Sequence, residues 1–183
     1  MFQIITGKIN ALKKICQVSD FKTRRMIATG LVMSSLTYIV QAYGSCSEYL
    51  INLLQTQQNI AARKVTKLPW YTATSTLLKQ CGWLSVRQLI KYHSLTLIFK
   101  IVNENKPAYL YSKIDTPTRE TRHSSAKTLR DRRQFKTNTA FKSFLPRSIR
   151  DWNSLPKEIL DIEDNDIFKI KLRHYIIEKT PIK

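Results

Sequence analysis

Apolar and polar positions alternate with helical spacing most densely between residues 83 and 107. Ile90, Leu95, Leu97, Ile98, Ile101 and Val102 return every three or four positions, and Val86, Leu89 and Tyr92 widen the stripe. That spacing predicts a helix burying one broad face. Ser85 with Gln88 three places later fits a capping box at its start. Asn103, Glu104 and Asn105 end the pattern, and Pro107 cannot continue it, because it has no amide proton and restricts the residue before it. A helix of about 18 residues is about 27 Å long, enough to span a small domain. The rest of the fold is expected to assemble around it.

The segments before it carry their own periods. Over residues 2–18, Phe2, Ile5, Ile9, Leu12, Ile15 and Cys16 fall on one side of a helix and Lys8, Lys13 and Lys14 mainly on the other. This amphipathic basic helix is read as covering a core rather than a membrane surface. It has neither the continuous apolar run nor the cleavage site of a secretory signal. Asp20 can cap a second helix over 21–43, with Gly44 where a left-handed end residue is wanted. No charge occurs between Met26 and Ser47, which raises a transmembrane span as an alternative. Thr29, Gly30, Ser34, Ser35, Thr37 and Gln41 interrupt that run, so a central buried helix is the expectation. A third helix over 49–67 carries Leu50, Leu53, Leu54 and Ile60, with Gln55, Gln57, Gln58 and Asn59 as an amide-rich flank and Pro69 as its stop. A turn over 72–76 and a short helix through Leu77 and Leu78 then reach Gly82.

Beyond Pro107 one helical turn is expected over 108–111, and the composition then shifts. Residues 113–150 hold eleven basic side chains against three acidic ones. Apolar residues there are few, and Leu129, Phe135, Phe141 and Phe144 predict an irregular basic segment with one or two short strands. Two helices close the chain. The first covers 147–153 and stops at Leu155 and Pro156; the second covers 166–178, with Phe168, Leu172, Tyr175 and Ile176 on one face. Asp164 or Asn165 can cap it, and the cluster Asp161, Glu163, Asp164 and Asp166 suits a helix N-terminus better than a metal ion. The fold class expected is therefore mainly α: a helical bundle over 1–112, then a basic irregular or short-strand segment and C-terminal helices over 113–183, packed on the first part as one compact unit.

Charge then narrows the function. Against 13 acidic side chains stand 31 lysines and arginines, leaving +18 over 183 residues. Such a surface attracts polyanions, with nucleic acid ahead of a merely solvated basic face and of an anionic membrane. Cys16, Cys46 and Cys81 are far apart, odd in number and without zinc spacing, as expected of reduced thiols in an intracellular protein, nuclear or cytoplasmic. His93, His123 and His174 are equally scattered, and no metal or cofactor is assigned. The only glycines are Gly7, Gly30, Gly44 and Gly82, so no phosphate-cradling loop or dinucleotide turn can be written. No Gly-x-Ser-x-Gly, His-Glu-x-x-His or paired Cys/His arrangement occurs.

Several short motifs then occur in an order that carries more weight than any one of them. Ser34, Leu36, Tyr38, Tyr43 and Gly44 come first, then Leu53 to Gln55, Gln58-Asn59, Ala61-Ala62-Arg63 and Cys81-Gly82-Trp83-Leu84-Ser85-Val86. Thr121-Arg122, Ser143-Phe144, Trp152-Asn153-Ser154-Leu155-Pro156 and Phe168-Lys169 follow. Over nearly its whole length the chain resembles the C-terminal part of reverse transcriptases from jockey-like non-LTR retrotransposons. The resemblance implies a thumb-like helical bundle and a basic tail. The family's catalytic palm, with its Asp-Asp motif holding two metals, would lie upstream of these residues, so no catalytic residue carries over and no enzymatic activity is expected of this chain. The implied partners are RNA or an RNA/DNA duplex, held without sequence preference, and the polymerase palm in cis or in trans. Arg119, Arg122, Lys127, Arg130, Arg132, Arg133 and Lys136 are the main candidate phosphate contacts; Arg63, Lys64 and Lys67 form a second group. The alternative is an orphan helical protein from a decayed element, with no ligand. Trp83 and Trp152 are expected to be core anchors rather than base-stacking residues, while Tyr109 and Tyr111 are open to either role.

Overall fold

In the computed structural model, which describes residues 2–38, 40–115, 127–133 and 137–180, the chain is mainly α-helical. Two compact units are present: Met1–Leu89 with Thr180–Lys183, and Ile90–Lys179.

In the first unit, α1 (Phe2–Ile15) buries Ile5, Ile9 and Leu12. Helix α2 (Phe21–Ala28) opens at Asp20, whose carboxylate accepts the Lys22 amide at 3.1 Å. The single helix expected over 21–43 is broken. It widens into a π-helical turn at Thr29–Met33, resumes as α3 (Ser34–Thr37), leaves helical geometry at Tyr38 with ψ 122°, and ends as α4 (Val40–Tyr43). Hydroxyls explain part of this. Thr29, Ser35 and Thr37 donate back to the carbonyls of Arg25, Leu31 and Met33 at 2.7, 3.0 and 3.0 Å, which bends helices. Val32, Leu36 and Val40 are buried while Met26 and Tyr38 are exposed, so the segment covers the core from one side instead of passing through its centre. Among the described residues no helix is long and apolar enough to cross a membrane.

Helix α5 (Glu48–Thr66) starts at Ser47 and ends at Lys67, which takes the left-handed conformation with φ 56°. Helix α6 (Thr74–Cys81) ends at Gly82, where φ 69° suits glycine and an added Cβ would press on the Arg25 guanidinium at 3.3 Å. The long helix α7 (Val86–Glu104) then begins with the expected capping box. The Ser85 amide donates to Gln88 Oε1 at 2.9 Å and the Gln88 amide to Ser85 Oγ at 3.3 Å. The amide-rich flank of α5 serves the same end. Gln55 Oε1 accepts the Val86 amide at 2.9 Å, and buried Gln58 donates to the Leu84 carbonyl at 2.7 Å. One amide of the first turn, which would otherwise lack a partner, and the carbonyl just before the helix are thus satisfied by α5.

The second unit is cored by Leu95, Ile98, Phe99 and Ile101 of α7 together with Leu129, Ile149, Trp152, Phe168, Leu172 and Ile176. Phe99 stacks on Phe168 with centroids 4.1 Å apart. After α8 (Ala108–Tyr111), β1 (Ile114–Asp115) pairs antiparallel with β2 (Arg130–Asp131), Ile114 opposite Asp131 and Asp115 opposite Arg130. Then come α9 (Asn138–Phe141), α10 (Phe144–Asn153), α11 (Lys157–Leu160) and α12 (Asn165–Lys179). Helix α10 starts three residues before the expected 147, and α11 was not foreseen. Asp164 caps α12, its Oδ1 accepting the Asp166 and Ile167 amides at 2.8 and 2.9 Å.

The boundary between the units lies between Leu89 and Ile90, inside α7, and not near 112 where the composition changes. Packing sets it: the apolar side chains that the tail helices need are on α7 itself.

Candidate nucleic-acid interface

Of the basic residues singled out above, Arg63, Lys64 and Lys67 belong to the first unit and Lys127, Arg130, Arg132 and Arg133 to the second. Arg119, Arg122 and Lys136 lie outside the described residues.

In the first unit the C-terminal ends of α1 and α5 form the walls of a cleft of about 620 Å³, lined by Lys13, Cys16 and Gln17 from one side and Arg63, Lys64, Lys67, Leu68 and Trp70 from the other. Arg24 holds these walls together. Its buried guanidinium donates from Nε to the Val65 carbonyl at 2.8 Å and from Nη1 to the Ser19 carbonyl at 2.5 Å. Both acceptors follow from the chain's course: Val65 offers one of the carbonyls a helix end leaves without a partner, and Ser19 sits in the turn after α1. The left-handed Lys67 then redirects the chain, and the turn from Pro69 to Thr72, closed by a 3.1 Å bond from the Thr72 amide to the Pro69 carbonyl, puts Trp70 and Tyr71 at its two central positions.

The cleft is strongly positive. Two helix C-termini supply about one elementary charge of negative potential between them, against the four cations Lys13, Arg63, Lys64 and Lys67. No carboxylate is among the lining residues. Arg63 Nε is buried and meets no acceptor among the described residues. The thiol of Cys16 senses the same field: burial pushes its pKa up, and Arg24, Lys67 and Lys64 pull it back. Trp70 is 82% and Tyr71 73% exposed, their rings edge to face at 5.9 Å.

The strip in the second unit is built differently. Trp152 donates to the Lys127 carbonyl at 3.0 Å, and the Asn153 carboxamide exchanges two bonds with the Leu129 backbone at 2.9 and 3.0 Å, fixing the approach to β2. Arg130 is exposed. Arg132, however, pairs with Asp115 at 3.2 Å, and Arg133 grips Asp131 from Nε and Nη2 at 3.0 and 2.8 Å. The hydrogen bond to Asp131 holds the Arg133 pKa above its usual value. Part of the strip's charge is therefore neutralised locally, while among the described residues no carboxylate pairs with the cleft's cations.

Sequence reasoning missed Lys13, Arg24 and Trp70. Lys13 was legible as a cation but not as a neighbour of Arg63. Arg24 and Trp70 belong to none of the periodic stripes or motifs, so nothing in the pattern singles them out. Trp83 and Trp152 are buried as expected, with Trp83 donating to Thr29 Oγ1 at 3.1 Å, and Tyr109 and Tyr111 are exposed. Among the described residues no group of three or more His, Cys, Asp or Glu side chains is placed to hold a metal ion.

Comparison with protein-family models, with curated proteins and with solved structures finds no match to this chain.

Proposed function

We propose that this chain is a non-catalytic nucleic-acid-binding module, the post-palm region of a non-LTR reverse transcriptase, which holds RNA or an RNA/DNA duplex by its backbone phosphates without reading sequence. The observation that carries the reading is the cleft between α1 and α5, where Lys13, Arg63, Lys64 and Lys67 converge with no carboxylate in the lining. Lysine and arginine held at one concavity are what phosphate contacts need, and contacts of that kind carry no sequence information. The ordered motifs from Ser34 to Lys169 support the origin in such an element, whose parent protein would be an RNA-directed DNA polymerase. The polymerase palm is the protein partner this reading implies.

The test is the salt dependence of binding, followed by fluorescence anisotropy with labelled RNA and RNA/DNA hybrid. Four engaged cations give an affinity that falls roughly a hundredfold between about 50 and 200 mM salt. An affinity that stays flat across that range overturns the reading.

The second reading is an orphan helical protein without a ligand. The pairing of Arg132 with Asp115 and of Arg133 with Asp131 favours it, since cations already matched by carboxylates have less to offer a phosphate.

A further inference from the structure

The cleft joins two features with different chemical uses, a carboxylate-free set of cations and an exposed aromatic pair on the turn that forms one of its walls. We propose that it takes single-stranded nucleic acid, with an unpaired base stacked on Trp70 and the adjoining phosphates on Arg63, Lys64, Lys67 and Lys13. This rests on the reading of the chain as a nucleic-acid-binding module and narrows it.

Three observations lead there. First, Trp70 is at a central position of a turn closed by the Thr72 amide, so the backbone presents the ring outward instead of into the core. Its edge-to-face contact with Tyr71 occupies at most one face of either ring and leaves a face open on each. Second, an aromatic face is of use to a base only where the base is free of its neighbours. In a duplex the base faces are covered, and proteins that stack bases on aromatic side chains take single strands. Third, a concavity of about 620 Å³ is of the size that encloses a small ligand, and Arg24 fixes both its walls, so a nucleotide or two can enter a preformed site. Arg63 Nε, buried and without an acceptor among the described residues, is a donor for which a phosphate oxygen supplies the partner.

The experiment compares an octauridylate with a blunt-ended RNA duplex, titrated into the full chain at one low salt concentration, for the wild type and for Trp70→Ala, Trp70→Phe and the double substitution Lys64→Gln with Lys67→Gln. Trp70 is the exposed tryptophan beside buried Trp83 and Trp152, so the part of the emission quench that disappears in Trp70→Phe reads out stacking. The expected result is tighter binding of the single strand, a loss of roughly tenfold or more for Trp70→Ala on the octauridylate with little change on the duplex, recovery in Trp70→Phe, and a loss on both ligands for the lysine pair. Equal losses on both ligands for Trp70→Ala, no loss on either, or a preference for the duplex overturns the single-strand inference alone. Absence of binding to both ligands by the wild type overturns the underlying reading of the cleft.

Discussion

Arg24 donates from Nε to the main-chain carbonyl of Val65 across 41 residues of sequence, at 2.8 Å in a buried position. Together with the bond from Nη1 to the Ser19 carbonyl it is the polar link between the turn after α1 and the end of α5. Arg24→Met keeps much of the stem's packing and removes both bonds, leaving two carbonyls to find water. The expected loss of stability is about 2–4 kcal/mol, read from urea denaturation. Arg24→Lys should fall between wild type and Arg24→Met, because one ammonium cannot span both acceptors with the fork geometry of a guanidinium.

A similar test separates the two basic groups. Lys64→Gln and Lys67→Gln should each lower the slope of log affinity against log salt by roughly 0.7–0.9. Arg132→Gln and Arg133→Gln should change it much less, since Asp115 and Asp131 already answer those charges. Larger effects from the arginines than from the lysines would move the interface to β2.

The aromatic stack of the second unit gives a prediction free of any ligand. Phe168→Ala should cost about 3–5 kcal/mol by opening a cavity beneath Phe99 and Trp152. Phe99→Ala should cost a similar amount, and the double variant less than the sum by about 1 kcal/mol, the coupling of the stacked pair in a double-mutant cycle.

Much of this architecture was legible because it rests on local rules. Ser85 with Gln88 and Asp164 before α12 are chemistry within four residues, each found where the pattern places it, and α5 lies one residue earlier at both ends than the expected 49–67. The break in the second helix was not legible: an uncharged run rich in Ser and Thr gives no periodic signal for the π turn at Thr29 or the bend at Tyr38, and only the hydroxyl bonds to earlier carbonyls reveal it. Phe99 was missed as a core residue, since it lies off the stripe read from the sequence and is buried by α12. The cleft was missed for a related reason. Lys13 and Lys67 are brought to one place by helix packing and by an arginine bonded to main-chain oxygens, and neither leaves a mark in composition.

Thiol chemistry offers a further check. Burial pushes Cys81 from 9.0 up to about 11, with Arg25 opposing it. The unfolded chain therefore loses this proton first as pH rises. The contribution of the neutral thiol is fully present below about pH 9 and is lost progressively toward about pH 11. Urea midpoints measured across that window should fall with pH in the wild type and less steeply in Cys81→Ala. Exposed Cys46 should react with a thiol reagent in the native state, whereas buried Cys81 should react only on unfolding.

The position of the unit boundary inside α7 limits how the basic tail can be handled in the laboratory. A cut at the compositional border after residue 112 severs Leu95, Ile98, Phe99 and Ile101 from Trp152 and Phe168. The excised polypeptide would keep its positive charge and lose the scaffold that shapes it, so any affinity it showed for RNA would report loose polycation behaviour and not the folded protein.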